Sequence, residues 1–321
     1  MKILFFTHNI FTPENPKGYR IHQYFPYLAE KGFEIELLTT GTAFSKVLKQ
    51  ARQADVVYLQ RLLLNPLKIF ALRRCAKKIV YDYDDAVMYG TRKESATRRF
   101  RFKMTVQYAD AVFCGNSFLL NEAKKHRNAG AYYVPTVVDT DEYPVKVHGE
   151  HKPFVVGWMG SSSTLKYLSD MKEFILSFRH NRHIIFKFVA DRPSGMEGEG
   201  IVFEKWEKDK EKSLLLSFDA GIIPARDDAW SQGKCGLKLI QYMAAGLPSI
   251  AHPVGVAKDI TEDGVNGFLR NDYAGWKDAV EVLSKDTALR SSMGNNARKH
   301  IEAKYSLKHW GPEIAKIIGN L

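Results

Sequence analysis

The chain has 321 residues, enough for two domains of ordinary size, and 45% of them are hydrophobic, a share typical of globular proteins. Its formal net charge of +11 favours an anionic ligand or surface as partner. The apolar runs are too short for a membrane-spanning helix, and the opening segment turns polar too early for a signal peptide. The three cysteines are widely spaced without metal-ligand spacing, so we expect reduced thiols in a cytoplasmic protein.

Apolar segments alternate with amphipathic ones, which predicts α/β architecture with parallel sheets. In the first half we predict strands at Ile3–Thr7, Glu34–Thr39, Val56–Leu59, Ile79–Asp82, Ala111–Cys114 and Tyr132–Val134. The predicted helices lie near Arg20–Lys31, Phe44–Arg52, Pro66–Ala76, Ser95–Ala109 and Ser117–His126. The polar, turn-rich stretch Asp139–Lys152 then indicates an interdomain linker.

The same alternation starts again after this stretch, which predicts a second α/β domain. Its strands are expected at Phe154–Trp158, Ile184–Val189, Ile201–Phe203, Ala220–Ile223, Ser249–Ala251 and Gly267–Leu269. Its helices are expected at Thr164–Phe178, Lys234–Ala245, Ala257–Thr261, Tyr273–Leu283 and Thr287–Tyr305, with a last helix at Leu307–Ile318. We therefore predict domains at 1–145 and 146–305, followed by a C-terminal helix at 306–321.

The turn after the first strand lacks the G-x-G-x-x-G pattern, which argues against a dinucleotide-dependent dehydrogenase. Gly18 and Arg20 lie at the predicted start of the next helix. Gly18 would let a ligand phosphate approach the backbone, and Arg20 would pair with an anion. A plain helix cap is the alternative.

Three carboxylates, Asp82, Asp84 and Asp85, follow a predicted strand, at the edge where open α/β sheets bind ligands. Strand alternation directs Asp82 and Asp84 to one side and Asp85 to the other. Arg61 closes the preceding strand, so we expect it at the same edge, in contact with an anionic acceptor or with Asp84. Helix capping and Mg²⁺ binding are the alternatives for the carboxylates.

The segment Trp230–Gly246 is the most informative stretch of the sequence. Two glycines, Gly233 and Gly236, accompany Lys234 and Lys238, which lie four residues apart and therefore on one face of the predicted helix. A helix N-terminus that carries two lysines suits an anion of the size of a diphosphate. An ordinary crossover helix with two solvated lysines is the alternative.

This segment resembles the donor-site region of retaining GT-B glycosyltransferases of family 4. Gln241–Ile250 is similar to the family's EAMAxGxPVV helix and strand, and Asp263–Leu269 to its DGxxGxLV turn. Similar segments at Met1–Thr40, Ala109–Ser117 and Val134–Asp139 extend the resemblance over nearly the whole chain. It implies two Rossmann-like βαβ domains facing a crevice, with the acceptor on the first domain, the donor on the second, and the last helix crossing back to the first.

The resemblance implies transfer of a sugar from a nucleotide-diphosphate sugar to a lipid-linked, glycan or small-molecule acceptor. Retention of anomeric configuration is implied, without metal or other cofactor. Together with the positions above, it gives catalytic roles to Asp84, Asp82 and Lys238, and acceptor-binding roles to Arg20 and Arg61. The expected donor-binding residues are Lys234, Gln241, Gly236, Ser161, Ser162, Trp206 and Gly18. Trp206 would stack on the nucleotide base, with a core anchor as the alternative.

The sequence departs from the family at its Glu-x7-Glu motif, whose two glutamates map onto Gly233 and Gln241. Gln241 can still hydrogen-bond sugar hydroxyls, whereas glycine has no side chain to replace a glutamate. Lys234, Asp227 or Asp228 would then have to take over. A catalytically impaired nucleotide-sugar-binding protein or partner subunit is therefore an alternative, as is a GT-B epimerase or phosphorylase.

The window Arg92–Lys103 holds six basic residues and one Glu94, with Phe100 and Phe102 interleaved. Basic and aromatic residues together suit an anionic membrane surface, which would place the protein peripherally on the inner membrane face. No nucleic-acid motif accompanies the window, so we expect no nucleic-acid partner. A solvated helix face is the alternative.

Overall fold

The computed structural model describes residues 1–8, 19–90, 95–150 and 152–321, and the chain forms two compact units. The first unit comprises Met1–Val137, Asp228–Cys235 and Leu307–Leu321, and the second comprises Val138–Asp227 and Gly236–Ser306. Each unit is built on one six-stranded sheet in which neighbouring strands run parallel. The predicted α/β fold with two Rossmann-like units is therefore confirmed.

The first sheet has the strand order β2-β1-β3-β4-β5-β6. Its strands are β1 (Lys2–Thr7), β2 (Glu34–Thr39), β3 (Val56–Gln60), β4 (Lys78–Tyr83), β5 (Ala111–Cys114) and β6 (Ala131–Tyr133). The helices of this unit are α1 (Phe25–Glu30), α2 (Phe44–Gln53), α3 (Pro66–Cys75), α4 (Ala96–Tyr108), α5 (Ser117–Lys124), α9 (Ala229–Gln232) and α14 (Leu307–Gly319).

Both faces of the first sheet are buried, because successive side chains along a parallel strand point to opposite faces. Leu4 and Phe6 of β1 belong to the core beneath α2, α3, α4 and α5. Ile3 and Phe5 belong to the core on the opposite face, beneath α1 and α14. The run of four apolar residues in β1 is thus explained by helices packed on both sides of the sheet.

The second sheet has the strand order β12-β11-β10-β7-β8-β9. Its strands are β7 (Phe154–Met159), β8 (Ile184–Ala190), β9 (Ile201–Lys205), β10 (Ala220–Ile223), β11 (Ser249–Ala251) and β12 (Gly267–Leu269). The helices of this unit are α6 (Leu165–Asp170), α7 (Lys172–Leu176), α8 (Glu211–Leu216), α10 (Leu237–Ala244), α11 (Ala257–Ile260), α12 (Tyr273–Lys285) and α13 (Thr287–Lys304).

Several helices differ from the predictions at their starts. The helix predicted from Arg20 begins only at Phe25, after a 3₁₀ turn at His22–Tyr24, and Pro26 occupies its first turn, where proline is tolerated. The single helix predicted at Thr164–Phe178 is two short helices, α6 and α7, which meet at Met171. Helices α8 and α9 were not predicted.

Two strand glycines of the second unit allow aromatic side chains to pack directly on the backbone. A Cβ atom at Gly157 of β7 would overlap the buried ring of Phe218, and one at Gly221 of β10 would overlap the ring of Tyr242. These two strands pair through Gly157 and Gly221. Glycine is therefore required by close approach, as is common for glycines inside strands.

We predict that Gly157→Ala lowers the free energy of unfolding by about 1–3 kcal/mol, the usual cost of overpacking a core. Gly41→Ala is the matched control, because the nearest atom to its added Cβ lies 3.7 Å away. The control should shift the free energy by less than about 0.5 kcal/mol. Urea unfolding measures both, and equal stability of the two variants would contradict the packing argument.

Candidate functional site

Arg20 and Asp82 form a buried ion pair in the first unit. Arg20 Nη2 lies 2.5 Å from Asp82 Oδ1, Arg20 Nε donates to both carboxylate oxygens at 3.0 and 3.1 Å, and Nη1 donates to the Val134 carbonyl at 2.6 Å. Asp82 is 0% exposed and Arg20 5%. Burial raises the pKa of Asp82, and the Arg20 guanidinium opposes that shift. The predicted position of Arg20 at a helix N-terminus is therefore wrong. Arg20 lies inside the unit, where it neutralises Asp82.

Arg61 joins Asp84 and Asp85 at the carboxyl end of β4. Arg61 Nε donates to Asp84 Oδ1, and Arg61 Nη2 lies 2.9 Å from Asp85 Oδ2. The predicted alternation, which directed Asp85 away from Asp84, is wrong here because β4 ends at Tyr83 and both carboxylates contact one guanidinium. Arg61 itself has a φ of 57°, the left-handed region that non-glycine residues seldom adopt.

The two neighbouring carboxyl groups differ in their protonation behaviour. Burial works against ionisation of Asp84, but the charge and hydrogen bond of Arg61 outweigh it and lower its pKa. Burial raises the pKa of Asp85, although Arg61 opposes this shift. Asp84 is accordingly the carboxylate that Arg61 holds ionised.

Lys234 lies on the segment Asp228–Cys235, which packs on the carboxyl ends of β4 and β5. Asn116 Nδ2 donates to the carbonyls of Gln232 and Lys234 at 3.0 and 2.9 Å. The Lys234 ammonium lies 5.9 Å from the ring centroid of Trp230, and its charge, like that of Arg61, opposes the rise that burial causes in the pKa of Asp85. Lys234 therefore belongs to the surroundings of Asp84, Asp85 and Arg61 in the first unit.

The predicted helix face shared by Lys234 and Lys238 is wrong, because α10 begins at Leu237. Gly236, the N-cap residue, has a φ of 67° in the left-handed region, which turns the chain before the helix starts. Lys234 precedes this turn, whereas Lys238 lies in the first turn of α10. Gly236 also carries no side chain that could cap the first N–H groups of α10.

In the second unit, Lys238 lies against the loop that follows β7. Its Nζ is 3.1 Å from Thr164 Oγ1 and 4.6 Å from the ring centroid of Trp158. A Cβ atom at Gly160 would overlap this Nζ, so glycine provides the space that the ammonium occupies. The structure thereby brings Lys238 together with the β7 loop, which contains the predicted residues Ser161 and Ser162.

The hydroxyl and backbone groups of this loop already have partners in the second unit. Ser161 Oγ and Ser163 Oγ are 2.7 Å apart. The Ser162 N–H donates to Asp191 Oδ1 at 2.5 Å, and hydrogen bonds from the side chain and the backbone of Ser162 lower the pKa of Asp191. A phosphate that uses the Ser162 N–H would have to displace this carboxylate.

Gln241 and Trp206, both predicted to bind the donor, are linked through Glu211 in the second unit. Gln241 Nε2 donates to Tyr143 Oη and to Glu211 Oε1, both at 3.0 Å. Trp206 Nε1 donates to Glu211 Oε2 at 3.1 Å. Gln241 is buried and Trp206 is half-buried. One carboxylate therefore orients both side chains.

Glu211 and His8 were not predicted as site residues. Glu211 begins α8, a helix that was not predicted, and no motif surrounds it. His8 follows β1, and burial together with the nearby Arg61 charge lowers its pKa. Because His8 directly follows β1, the sequence could have placed it at the same edge of the sheet as Arg61. The predicted donor residue Gly18 lies outside the described residues.

Within the described ranges, no three His, Cys, Asp or Glu side chains are arranged to hold a metal ion. Metal-independent action stays a prediction. In the same part of the chain, no helix is both long and apolar enough to cross a membrane.

Residues 198–300, which contain Lys238 and Gln241, match the family model described as glycosyl transferases group 1. Alpha-D-kanosaminyltransferase of Streptomyces kanamyceticus is 32% identical to this chain over 152 residues. The match covers 43% of this chain and 38% of the relative, so the chain spans well under half of that relative's length.

Two solved structures share the fold over essentially their full length. Anabaena Alr3699/HepE in complex with UDP superposes with a TM-score of 0.76 at 16% identity, and the match covers 100% of each chain. Sucrose-phosphate synthase of Thermosynechococcus elongatus gives a TM-score of 0.74 at 13% identity, covering 99% of this chain and 98% of the other. The GT-B fold and the resemblance to group 1 glycosyltransferases are thereby confirmed.

We predict that Arg20→Met lowers the free energy of unfolding by about 3–5 kcal/mol, because it leaves Asp82 buried without its counter-ion. Arg226→Met is the matched control: Arg226 also pairs with an aspartate, Asp170, but both side chains are 40% or more exposed. The control should cost no more than about 1 kcal/mol. Similar losses in both variants would contradict a special role for the buried pair.

The deficit of Arg20→Met should depend on pH. Without Arg20, burial and the Asp84 charge raise the pKa of Asp82 and Arg61 opposes them weakly, so the folded pKa lies further above the unfolded value of about 3.9. Such a group stabilises the fold while it is protonated, below the unfolded pKa, and this stabilisation is lost as pH rises through the folded pKa. The deficit relative to wild type should therefore be smallest near pH 4 and grow towards neutrality, as unfolding experiments across pH would measure.

Proposed function

We propose that the protein is a glycosyltransferase that moves a sugar from a nucleotide-diphosphate sugar to a hydroxyl acceptor. The observation that carries this proposal is the cationic site formed by Lys238, the first turn of α10 and the loop after β7. It lies in the second unit, and Lys238 falls within the segment that matches group 1 glycosyltransferases. Anabaena Alr3699/HepE, which shares the fold, has been solved with UDP and with UDP-glucose.

The site has the charge that departure of a nucleoside diphosphate requires. As the bond between the anomeric carbon and the diphosphate oxygen breaks, negative charge builds up on that oxygen. The Lys238 ammonium and the N–H groups at the start of α10 stabilise this charge, and their effect grows towards the transition state. Because these groups supply positive charge, we propose that the reaction needs no metal ion and persists in EDTA.

On the first unit we propose that the acceptor binds near Asp84 and Arg61. Asp84 is ionised and fixed by Arg61, so it can orient an acceptor hydroxyl. The buried Asp82–Arg20 pair fixes the backbone next to Asp84 and Arg61. Asp82 precedes Asp84 by two residues, and its carbonyl accepts from the Arg61 N–H at 2.8 Å. We therefore propose positioning roles for Asp82 and Arg20.

We propose that the anomeric configuration is retained, which follows from the family resemblance. The acceptor oxygen forms its bond to the anomeric carbon on the face from which the diphosphate leaves. The acceptor proton passes to the departing diphosphate oxygen, so no additional reactant is needed. The proposed acceptors are a lipid-linked, glycan or small-molecule hydroxyl, and the three free cysteines support a reaction in the cytoplasm.

A second function, binding of nucleotide sugars without transfer, is favoured by the two departures from the glutamate motif. A Cβ atom at Gly233 would overlap that of Ala86 and lie 2.9 Å from the Ala86 backbone nitrogen, so this conformation leaves no room for a glutamate. The side-chain amide of Gln241 already donates to Tyr143 and Glu211 within the second unit.

The two functions are separated by mass spectrometry of products after incubation with a panel of nucleotide sugars and a lipid extract. A mass increase of one sugar on an acceptor, with release of nucleoside diphosphate, supports transfer. Saturable binding of a nucleotide sugar without any product supports the binding function. Absence of both results would contradict the proposed donor.

We predict that Lys238→Ala weakens UDP or GDP binding by about tenfold, since a charged hydrogen bond contributes roughly 1.5–3 kcal/mol. Lys234→Ala is measured in parallel, because the sequence predicts a donor contact for Lys234, whereas the structure places it beside Asp85 in the first unit. Lys172→Ala, an exposed lysine on α7, is the control and should leave affinity unchanged. Calorimetry with each diphosphate measures the effect, and wild-type affinity in Lys238→Ala would refute the anion site.

We predict that Asp84→Asn reduces kcat at least about tenfold while donor affinity and melting temperature stay close to wild type. Asparagine still accepts a hydrogen bond from Arg61 but lacks the charge that would orient the acceptor hydroxyl. Asp278→Asn, an exposed aspartate on α12, serves as control. A variant that transfers sugar at the wild-type rate would remove Asp84 from the acceptor site.

A further inference from the structure

Three neighbouring helices of the first unit carry positive charge without any negative charge. Helices α2, α3 and α4 cover the same face of the first sheet, and α3 packs beside both others. They contain three, three and four Lys or Arg residues, respectively, and no Asp or Glu. The opposite face of the sheet differs, because α1 contains Glu30 and α14 contains Glu313. The fourth helix on the same face, α5, contains Glu122, so positive charge without negative charge is confined to α2, α3 and α4.

Large apolar side chains are exposed on the same layer. Leu67 on α3 is 82% exposed, Phe70 on α3 46%, and Phe100 on α4 54%. Leu67, Phe70 and Arg74 recur at spacings of three and four residues, so they lie along one face of α3. The buried residues Ile69 and Leu72 take the opposite side of this helix.

On α4, Phe100 lies on the side of the helix that faces away from the core, as Leu67 and Phe70 do on α3. The buried residues Phe102 and Val106 anchor α4 to the core, whereas Phe100 and Lys103, three residues apart, both lie on its exposed side. Exposed basic residues surround these apolar groups: Lys68 and Arg74 on α3, and Arg99 and Lys103 on α4. We call this exposed surface of α3 and α4 the basic apolar face.

We infer that the basic apolar face docks the protein on an anionic lipid bilayer. A bilayer surface offers both partners that the face requires: anionic headgroups for Lys68, Arg74, Arg99 and Lys103, and an apolar interior for Leu67, Phe70 and Phe100. A nucleic acid offers phosphates and stacking bases, but it gives no partner to the aliphatic side chain of Leu67, the most exposed of the three apolar groups.

The basic apolar face includes residues of α3 that lie outside the predicted basic window. The window Arg92–Lys103 covers the N-terminal half of α4, and its residues Arg92–Glu94 lie outside the described residues. The structure adds Leu67, Phe70 and Arg74 of α3 to it, which lie at least eighteen positions before the window in the sequence. Docking does not depend on the proposed transferase activity, so either proposal can fail without the other.

Sedimentation with vesicles tests the inference on the full chain. One vesicle type contains phosphatidylcholine alone, and the other contains equal parts of phosphatidylcholine and phosphatidylglycerol. We expect wild type to sediment with the anionic vesicles, with binding that weakens as salt is raised. The triple variant Lys68→Glu, Arg74→Glu and Lys103→Glu should partition at least about tenfold more weakly at low salt.

Two further triple variants separate the face from general charge effects. Lys172→Glu, Lys308→Glu and Lys316→Glu make the same charge change on exposed lysines of α7 and α14, and should bind like wild type. Leu67→Ser, Phe70→Ser and Phe100→Ser should abolish the binding that persists at high salt. Circular dichroism checks folding, and Lys68→Gln, Arg74→Gln and Lys103→Gln replaces the first variant if charge reversal unfolds the chain.

Three results would overturn the inference. Equal binding of wild type to both vesicle types would exclude recognition of anionic lipid. Equal losses of vesicle binding in the Lys68, Arg74 and Lys103 variant and in the control variant would show that binding depends only on net charge. Displacement of the protein from vesicles by a duplex oligonucleotide, with binding of that oligonucleotide lost in the face variant, would assign the face to nucleic acid instead.

Discussion

The side-chain amide of Asn116 holds the segment Asp228–Cys235 against the carboxyl ends of β4 and β5, and the surroundings of Asp84 and Asp85 in the first unit depend on it. Its oxygen caps α5 by accepting from the Leu119 N–H at 2.8 Å, while its nitrogen donates to two carbonyls of the segment. One buried side chain thus fixes a helix start and a distant segment together. It brings Lys234 near Asp85, and it presses Gly233 onto Ala86.

The same edge of the first sheet accommodates three carboxylates within four residues because two arginines neutralise them in different ways. Arg20 is buried and pairs with Asp82, which makes that pair part of the core. Arg61 is partly exposed and contacts both Asp84 and Asp85, whose pKa values shift in opposite directions. Pairs of groups with divergent pKa values are frequent where acid and base roles are divided. This division supports Asp84 as the group that remains ionised.

The positions of the strands could be predicted from the sequence, but the start of α10 and the side-chain contacts of the site could not. The physical reasons differ. A parallel strand buried on both faces reads as a continuous apolar run, so β1 and β7 could be placed from sequence to within a residue or two. Helix starts depend on the backbone of single residues, and the left-handed conformation of Gly236 removed Lys234 from α10. The link from Gln241 to Glu211 joins residues thirty positions apart. No local pattern encodes such a distance.

The two departures from the glutamate motif have different physical meanings. At Gln241 a carboxylate is still present nearby, because Glu211 accepts hydrogen bonds from Gln241 and from Trp206. This carboxylate belongs to α8 and is oriented by two donors. At Gly233 the packing on Ala86 leaves no space for a side chain, so no glutamate can return without displacing the segment. The surroundings of Gln241 therefore keep a carboxylate, whereas Gly233 has neither a side chain nor space for one.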